Sequence, residues 1–302
     1  MRQLPLKFNK EIETAIKNKQ PIVALESTII SHGMPYPDNI ECAQTVENII
    51  RKQGATPATI ALHDGHIHIG IDEKLMTHLA NSDEVLKASR RDLAFIISQR
   101  LTASTTVAAT MYCAHLANIS IFVTGGIGGV HPKVSEHFDI SADIIELATT
   151  PVAVVCSGAK SILDLPKTLE MLETHGVPVV GYQTDEFPAF YSHSSGISLV
   201  HRLDSVNEIA KMLITQHHLG LTNGIVVANP IPKNAEIPDD KLIPIIEQAH
   251  QEAHHINGKS ITPFLLKRIA ELTEGQSLKA NIELIKNNAE LGANIATAMK
   301  AF

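Results

Sequence analysis

The segment Pro151-Val152-Ala153-Val154-Val155-Cys156, followed by Ser157-Gly158-Ala159-Lys160-Ser161-Ile162-Leu163-Asp164, decides how the chain folds. The first six residues are a short apolar run, the pattern of a parallel strand buried on both faces. The stretch from Ile162 to Leu172 then takes up helix-like apolar spacing. A lysine in the small-residue turn after such a strand sits where open α/β sheets bind ligands. An amine desolvated there becomes nucleophilic toward a carbonyl carbon. The same position also suits a lysine that caps a loop or meets a phosphate.

Outward from this segment, strands and helices alternate, which argues for an α/β fold with a largely parallel sheet. Ile22–Leu25, Leu93–Ile97, Ile119–Val123, Val152–Val155, Val177–Gly181 and Gly224–Ala228 read as strands. Asn39–Gln53 and Thr105–Ala117 read as helices, and residues 236–300 as mostly helical. Thr59–Leu62 and His66–Ile69 flank Asp64-Gly65, a hairpin turn dipeptide, so the sheet is expected to be mixed. The expected architecture is three-layer α/β/α with a mixed, mostly parallel central sheet. No linker, repeat or low-complexity segment divides residues 1–302, which predicts a single domain.

The 302 residues are 44% hydrophobic and 19% charged, values of an ordinary globular enzyme-sized chain. Net charge is −7 without a lysine or arginine block, which argues against a nucleic-acid surface. Cys42, Cys113 and Cys156 form no CxxC pair, which argues against a zinc site or disulfide framework and fits a reducing cytoplasm. Met1–Lys10 has no apolar leader stretch, and no apolar run reaches the roughly 18 residues a membrane span needs. A soluble, cytoplasmic protein is expected. His66 and His68 share one face of a strand, and a half-exposed polar face explains them better than a metal site.

Polar groups come directly after several strands. They are Glu26-Ser27-Thr28, Thr124 with its glycine loop, Lys160, Gln183-Thr184-Asp185 and Asn229-Pro230. One such group would be a helix cap; five argue for a shared crevice. Gly125-Gly126-Ile127-Gly128-Gly129 could bring backbone N–H groups to an anion or simply make a tight turn. It fails the dinucleotide spacing at His131, and Gly258-Lys259-Ser260 fails the Walker pattern because Ala253 replaces the upstream glycine. Lys87-Ala88-Ser89-Arg90-Arg91-Asp92 and Ser104-Thr105-Thr106-Val107 are candidate phosphate contacts, by charge and by a helix start. Burial after a strand would raise Glu26 into a useful acid/base range, although a cap or buried ion pair fits equally. The oxygen-rich Asp139–Asp143 segment suits a hard divalent ion, or else a solvated acidic turn.

Four further stretches accompany Lys160: Ala24-Leu-Glu-Ser-Thr-Ile-Ile-Ser-His-Gly-Met-Pro35, Thr124-Gly-Gly-Ile-Gly-Gly-Val-His131, Phe138-Asp-Ile-Ser-Ala-Asp143 and Gly181-Tyr-Gln-Thr-Asp-Glu-Phe-Pro-Ala-Phe190. Together they closely resemble the pseudouridine-5'-phosphate glycosidase family, which includes the indigoidine synthase A-like proteins. The resemblance runs from about residue 10 to the C-terminus. It implies a lyase that interconverts pseudouridine 5'-phosphate and water with uracil and ribose 5-phosphate, degradation being the expected cellular direction. It implies Lys160 as Schiff-base nucleophile and Glu26 as acid/base. Lys87, Thr106 and Val107 would hold the phosphate end, and Ser141, Ala142, Asp143 and His131 would contact substrate. The resemblance also implies manganese or a similar ion at Asp139, and a homotrimer. The resemblance further implies an asparagine delivered to the ribose from the C-terminal region, Asn281 in Ser277–Leu284 first and Asn288 second. The competing readings are a Schiff-base lyase or aldolase for another sugar phosphate, and a non-catalytic sugar-phosphate sensor.

Overall fold

The computed structural model describes residues 4–253, 256 and 261–302. The first third holds β1 (Leu6–Phe8), α1 (Lys10–Lys17), β2 (Ile22–Leu25), α2 (Asp38–Lys52), β3 (Thr56–His63), β4 (His66–Ile69), α3 (Glu73–Asn81), β5 (Leu86–Ala88) and α4 (Leu93–Ser98). Then come β6 (Ala103–Thr105), α5 (Val107–Leu116), β7 (Ile121–Val123), α6 (Val134–His137), α7 (Ala142–Thr149), β8 (Ala153–Cys156), α8 (Leu165–Thr174) and β9 (Val179–Tyr182). The chain finishes with β10 (His201–Leu203), α9 (Val206–His218), β11 (Ile225–Ala228), α10 (Asp239–Glu252), α11 (Ile261–Leu272) and α12 (Gln276–Ala298).

One sheet has the order β1-β4-β3-β2-β7-β8-β11-β9-β10, with β5 and β6 attached through β3. Its pairs are parallel except β3–β4 and β3–β6. The antiparallel β3–β4 pair is the expected hairpin. Asp64 and Gly65 make its turn with φ of 48° and 80°, the doubly left-handed geometry that matches strand twist. The central strands β7, β8 and β11 are buried along their whole length, as continuous apolar runs require. Helix α12 covers β2, β7 and β8 beside α2 and α9, while α5 lies over β2, β3 and β7 beside α7. This is the mixed, mostly parallel sheet with helices on both sides that the alternation predicts. No helix among the described residues is long and apolar enough to cross a membrane.

Two expectations need correction. Leu93–Ile97 is helical in α4, not a strand. Its unbroken apolar run hides an i, i+3 pattern: Leu93 and Ile96 are buried whereas Phe95 is 62% exposed. The helix expected from Thr105 starts at Val107, because Ala103–Thr105 is a strand and Thr106 caps the helix after it. The short strands β1, β5 and β10 were not legible, since three residues carry too little periodicity. Gly258-Lys259-Ser260 lies outside the described residues.

Candidate active site

A cavity of about 390 Å³ opens beyond the carboxyl ends of β2, β6, β7 and β8, where the chain leaves the sheet. Lys160 reaches it through a short extension of β8. Ala159 bridges Ile127 in parallel register, and the Lys160 N–H donates to the Ile127 carbonyl at 3.0 Å. Gly158 makes the turn possible. Its φ is +82°, and a Cβ there would lie 2.2 Å from the Pro188 carbonyl oxygen. The Lys160 ammonium donates to the Gly126 carbonyl at 2.8 Å, so the glycine loop after β7 holds the amine in the cavity.

Glu26 leaves β2 directly into the same cavity, and its Oε1 accepts the Thr124 hydroxyl. Burial pushes its carboxyl above the usual carboxylate range, against the opposing pull of the Lys160 charge and the Thr124 hydrogen bond. A carboxyl raised toward neutrality beside an amine is the pair that imine chemistry needs. Ser27 and Thr28 do structural work next to it. Ser27 Oγ donates to the Ile60 carbonyl and accepts the Thr105 N–H, and Thr28 Oγ1 donates to the Thr105 carbonyl. These bonds tie β6, and hence Thr106, to the end of β2.

The phosphate-end candidates lie together. Lys87 on β5, Thr106 and Val107 line the cavity, with Arg91 at its exposed rim. Thr106 caps α5 by accepting the Ala109 N–H, and the Ala108 N–H goes to Asp143 Oδ1 at 2.9 Å. Neither cap uses the Val107 N–H, which the helix itself leaves unpaired. Arg90 departs from the expectation for its segment, since it does not line the cavity and bonds Glu146 instead.

Asp143 is a hub of the cavity wall. Its Oδ2 accepts the Gly128 N–H at 2.8 Å while Oδ1 holds α5, so one buried carboxylate joins glycine loop and helix start. Gly128 has no room for a side chain, because a Cβ would sit 2.2 Å from Ser141 Oγ. The loop therefore uses its Ile127 and Gly128 N–H groups within the protein rather than as an anion cradle. Ser141 and Ala142, at the start of α7, also face the cavity. His131 and Asp139 lie at its edge, with His131 Nε2 4.0 Å from Asp139 Oδ2. Burial lowers the His131 imidazole below its ordinary value, and the Asp139 charge opposes this.

The structure separates the two asparagines that sequence left open. Asn281 lines the cavity, and its buried Oδ1 has no hydrogen-bond partner among the described residues. Asn288 does not line it. Its Nδ2 donates to the Thr124 carbonyl at 2.9 Å and its Oδ1 accepts Asn229 Nδ2 at 3.0 Å, so it braces the loops after β7 and β11. Asn229 and Gln183-Thr184-Asp185 are thus outside the cavity wall, a correction to the five-strand crevice. Asp185 instead pairs with Arg202 at 2.6 Å. Sequence reasoning did not single out His32 or Phe190, nor Thr262, Pro263 and Leu266 of α11, all of which line the cavity. His32 and Phe190 lie inside quoted motifs, but their placement depends on a π-helical turn over Ile29–Gly33 and a left-handed Phe190 at φ +67°. Nothing in the α11 sequence marks a cavity wall.

The indigoidine synthase A-like protein family model matches residues 11–298. A Legionella pneumophila protein named pseudouridine-5'-phosphate glycosidase is 67% identical over 97% of this chain and 95% of its own. Its namesake from Caldanaerobacter subterraneus is 55% identical over 97% and 96%. Among solved structures, the prealnumycin C-glycosynthase AlnA in complex with ribulose 5-phosphate superposes with a TM-score of 0.91 at 32% identity, covering 100% of this chain and 98% of that one. An indigoidine synthase A-like protein from Thermotoga maritima gives 0.90 at 34% identity, covering 98% and 97%. Matches of this extent, spanning every segment that builds the cavity, mean that the chain belongs to the pseudouridine-5'-phosphate glycosidase, or indigoidine synthase A-like, family.

Proposed function

We propose that this protein is a pseudouridine-5'-phosphate glycosidase, a lyase that cleaves the carbon–carbon glycosidic bond through a Schiff base on Lys160. The observation that carries the reading is the shared cavity. Lys160, the raised Glu26, Lys87 and the start of α5 all line it, and the Glu26 carboxyl lies within the electrostatic reach of both lysines. Close relatives bear that name, and a structural neighbour holds a pentose phosphate. Two carboxylates flanking the bond, the usual glycosidase device, cannot make uracil C5 a good leaving group.

An imine can. Breaking the C1'–O4' bond, with Glu26 delivering a proton to O4', opens the ribose. Lys160 Nζ then passes a proton to the Glu26 carboxylate and bonds to C1'. As the C1'–C5 bond breaks, its electron pair leaves with uracil, C5 takes a proton, and the sugar stays on Lys160 as an imine. Water hydrolyses that imine to ribose 5-phosphate and the free amine. The sum is pseudouridine 5'-phosphate plus water giving uracil plus ribose 5-phosphate. Lys87 and the Val107 N–H hold the phosphate. Release of free uracil from pseudouridine 5'-phosphate tests the reading; a protein that binds the nucleotide without releasing uracil is a sensor instead.

Asp139 is the proposed holder of a divalent ion, manganese or similar. Its side chain is 35% exposed at the cavity edge, and the described residues contain no cluster of three or more His, Cys, Asp or Glu able to share a metal. A lone carboxylate without soft donors fits a hard ion that keeps most of its waters, not a caged one. Such an ion, when bound, supplies positive charge and ordered water near the phosphate and sugar. Asp139→Ala is expected to weaken manganese binding by calorimetry and to lower activity, with partial rescue by added manganese. Full activity after exhaustive chelation would remove the ion from the proposal.

Asn281 is proposed to hydrogen-bond substrate near the reacting centre, since an amide donates and accepts without changing charge. Asn281→Ala is expected to slow turnover by about tenfold or more, the scale of losing one aimed donor. Asn288→Ala should act differently, lowering thermal stability because it strips bonds from two loops. Normal turnover in Asn281→Ala would clear that residue of a role. The same family resemblance carries the proposal of a cytoplasmic homotrimer, for which sedimentation equilibrium is the test of assembly.

A further inference from the structure

Between the cavity-lining Lys87 and Arg91, Arg90 turns the opposite way. Its Nη1 donates to both carboxylate oxygens of Glu146, at 3.1 and 3.0 Å. Its guanidinium carbon lies 4.5 Å from the centre of the Tyr112 ring. Glu146 is only 2% exposed and also accepts the Thr150 hydroxyl. The segment it grips is otherwise fastened to the strand beside it, the Leu86 N–H donating to the Thr102 carbonyl at 3.1 Å and the Thr106 N–H to the Ala88 carbonyl at 3.0 Å. Strand β5 has three residues and, among the described residues, pairs only with β6, which itself hangs from β3. The turn after it is held locally, by Ser89 N–H donating to Asp92 Oδ2 at 2.9 Å.

Glu146 lies one helical turn beyond Asp143 on α7. Asp143 ties that helix to the Gly128 N–H and to the first turn of α5. Two carboxylates of one short helix thus fasten three separate cavity segments: the Lys87–Arg91 arm, the Thr106-Val107 step and the glycine loop. With the Arg90 side chain 47% exposed, the ion pair is only half buried and adds little stability. It does fix geometry, because the guanidinium is held at two places, by Nη1 between the Glu146 oxygens and by its face over the Tyr112 ring.

We infer that the Arg90–Glu146 pair is a positioning device that sets the phosphate-binding arm against the rest of the cavity. The inference rests on the proposed function for where the phosphate sits. Arg90 and Glu146 touch no substrate; they act through Lys87 and Arg91.

The test compares Glu146→Gln, Arg90→Met and the double variant. Each single variant is expected to raise KM for pseudouridine 5'-phosphate at least tenfold with kcat within threefold. Inhibition by inorganic phosphate should weaken by a similar factor, while inhibition by uracil stays unchanged. The double variant should be no worse than the weaker single, because both remove one interaction. A general folding defect would weaken uracil and phosphate together, and that result overturns the inference, as does unchanged phosphate inhibition in both singles. Should Glu146→Gln fail to fold, Arg90→Lys keeps the charge without the planar face that lies over Tyr112 and is expected to lose phosphate affinity alone. If the wild-type protein released no uracil, the proposed function would fall, yet calorimetric binding of inorganic phosphate to the same variants would still decide this point.

Discussion

Lys160→Ala is expected to abolish turnover, by about 10⁴-fold or more, the scale on which loss of a covalent nucleophile operates. The fold should survive. The backbone of residue 160 keeps its bond to the Ile127 carbonyl, and the side chain gives up a hydrogen bond to the Gly126 carbonyl at the cavity wall. Borohydride reduction in the presence of ribose 5-phosphate should leave the sugar attached to Lys160, located by peptide mass spectrometry. Circular dichroism and thermal melting of the variant should match wild type. Residual activity at wild-type level, or an adduct on another lysine, would end the assignment of the nucleophile.

Glu26→Gln is expected to cost about 10²- to 10⁴-fold in kcat, the usual range for a positioned acid/base. It should also make the protein more stable near neutral pH. The reason is the sign of the Glu26 shift. Burial raises its carboxyl in the folded protein above the ordinary 4.5, so the folded state holds the proton more tightly than the unfolded chain does. Glu26 therefore costs stability progressively as pH rises through the window from 4.5 to its folded value, and the whole cost is present above that window. Glutamine carries no such cost. The melting-temperature gain of Glu26→Gln should be present at about pH 7 and fade as pH falls below 4.5. A variant destabilised at about pH 7 but not below pH 4.5 would show that Lys160 and Thr124 stabilise the carboxylate more than burial opposes it.

The same residues show how far sequence reaches. Glu26, Thr124 and Lys160 each directly follow or lie a few residues beyond an apolar run, and a run's end in a parallel sheet projects into the ligand crevice, so their convergence was readable. Gln183-Thr184-Asp185 and Asn229 obey the same rule and lie outside the cavity wall. Which strand ends meet depends on strand order, and β9 sits beyond β11, away from β2 and β7. Strand order is a long-range pairing that no local pattern encodes. Leu93–Ile97 failed for the opposite reason, being too short for its period to be distinguished from an unbroken run.

By itself the sequence determined the α/β class, the hairpin at Asp64-Gly65, the helical C-terminal region and the residues with chemistry at the ends of β2, β7 and β8. Those arise from periodicity and turn stereochemistry, which act over a few residues. Tertiary structure alone decided that Asn281 faces the cavity while Asn288, further along the same helix, braces loops. It decided too that Arg90 pairs with Glu146 while its neighbours Lys87 and Arg91 face the cavity. Residues seven apart share a helix face, so the first outcome turns on how far along α12 each asparagine lies. The second turns on which neighbour each side chain meets, and both are settled by packing between segments far apart in the chain.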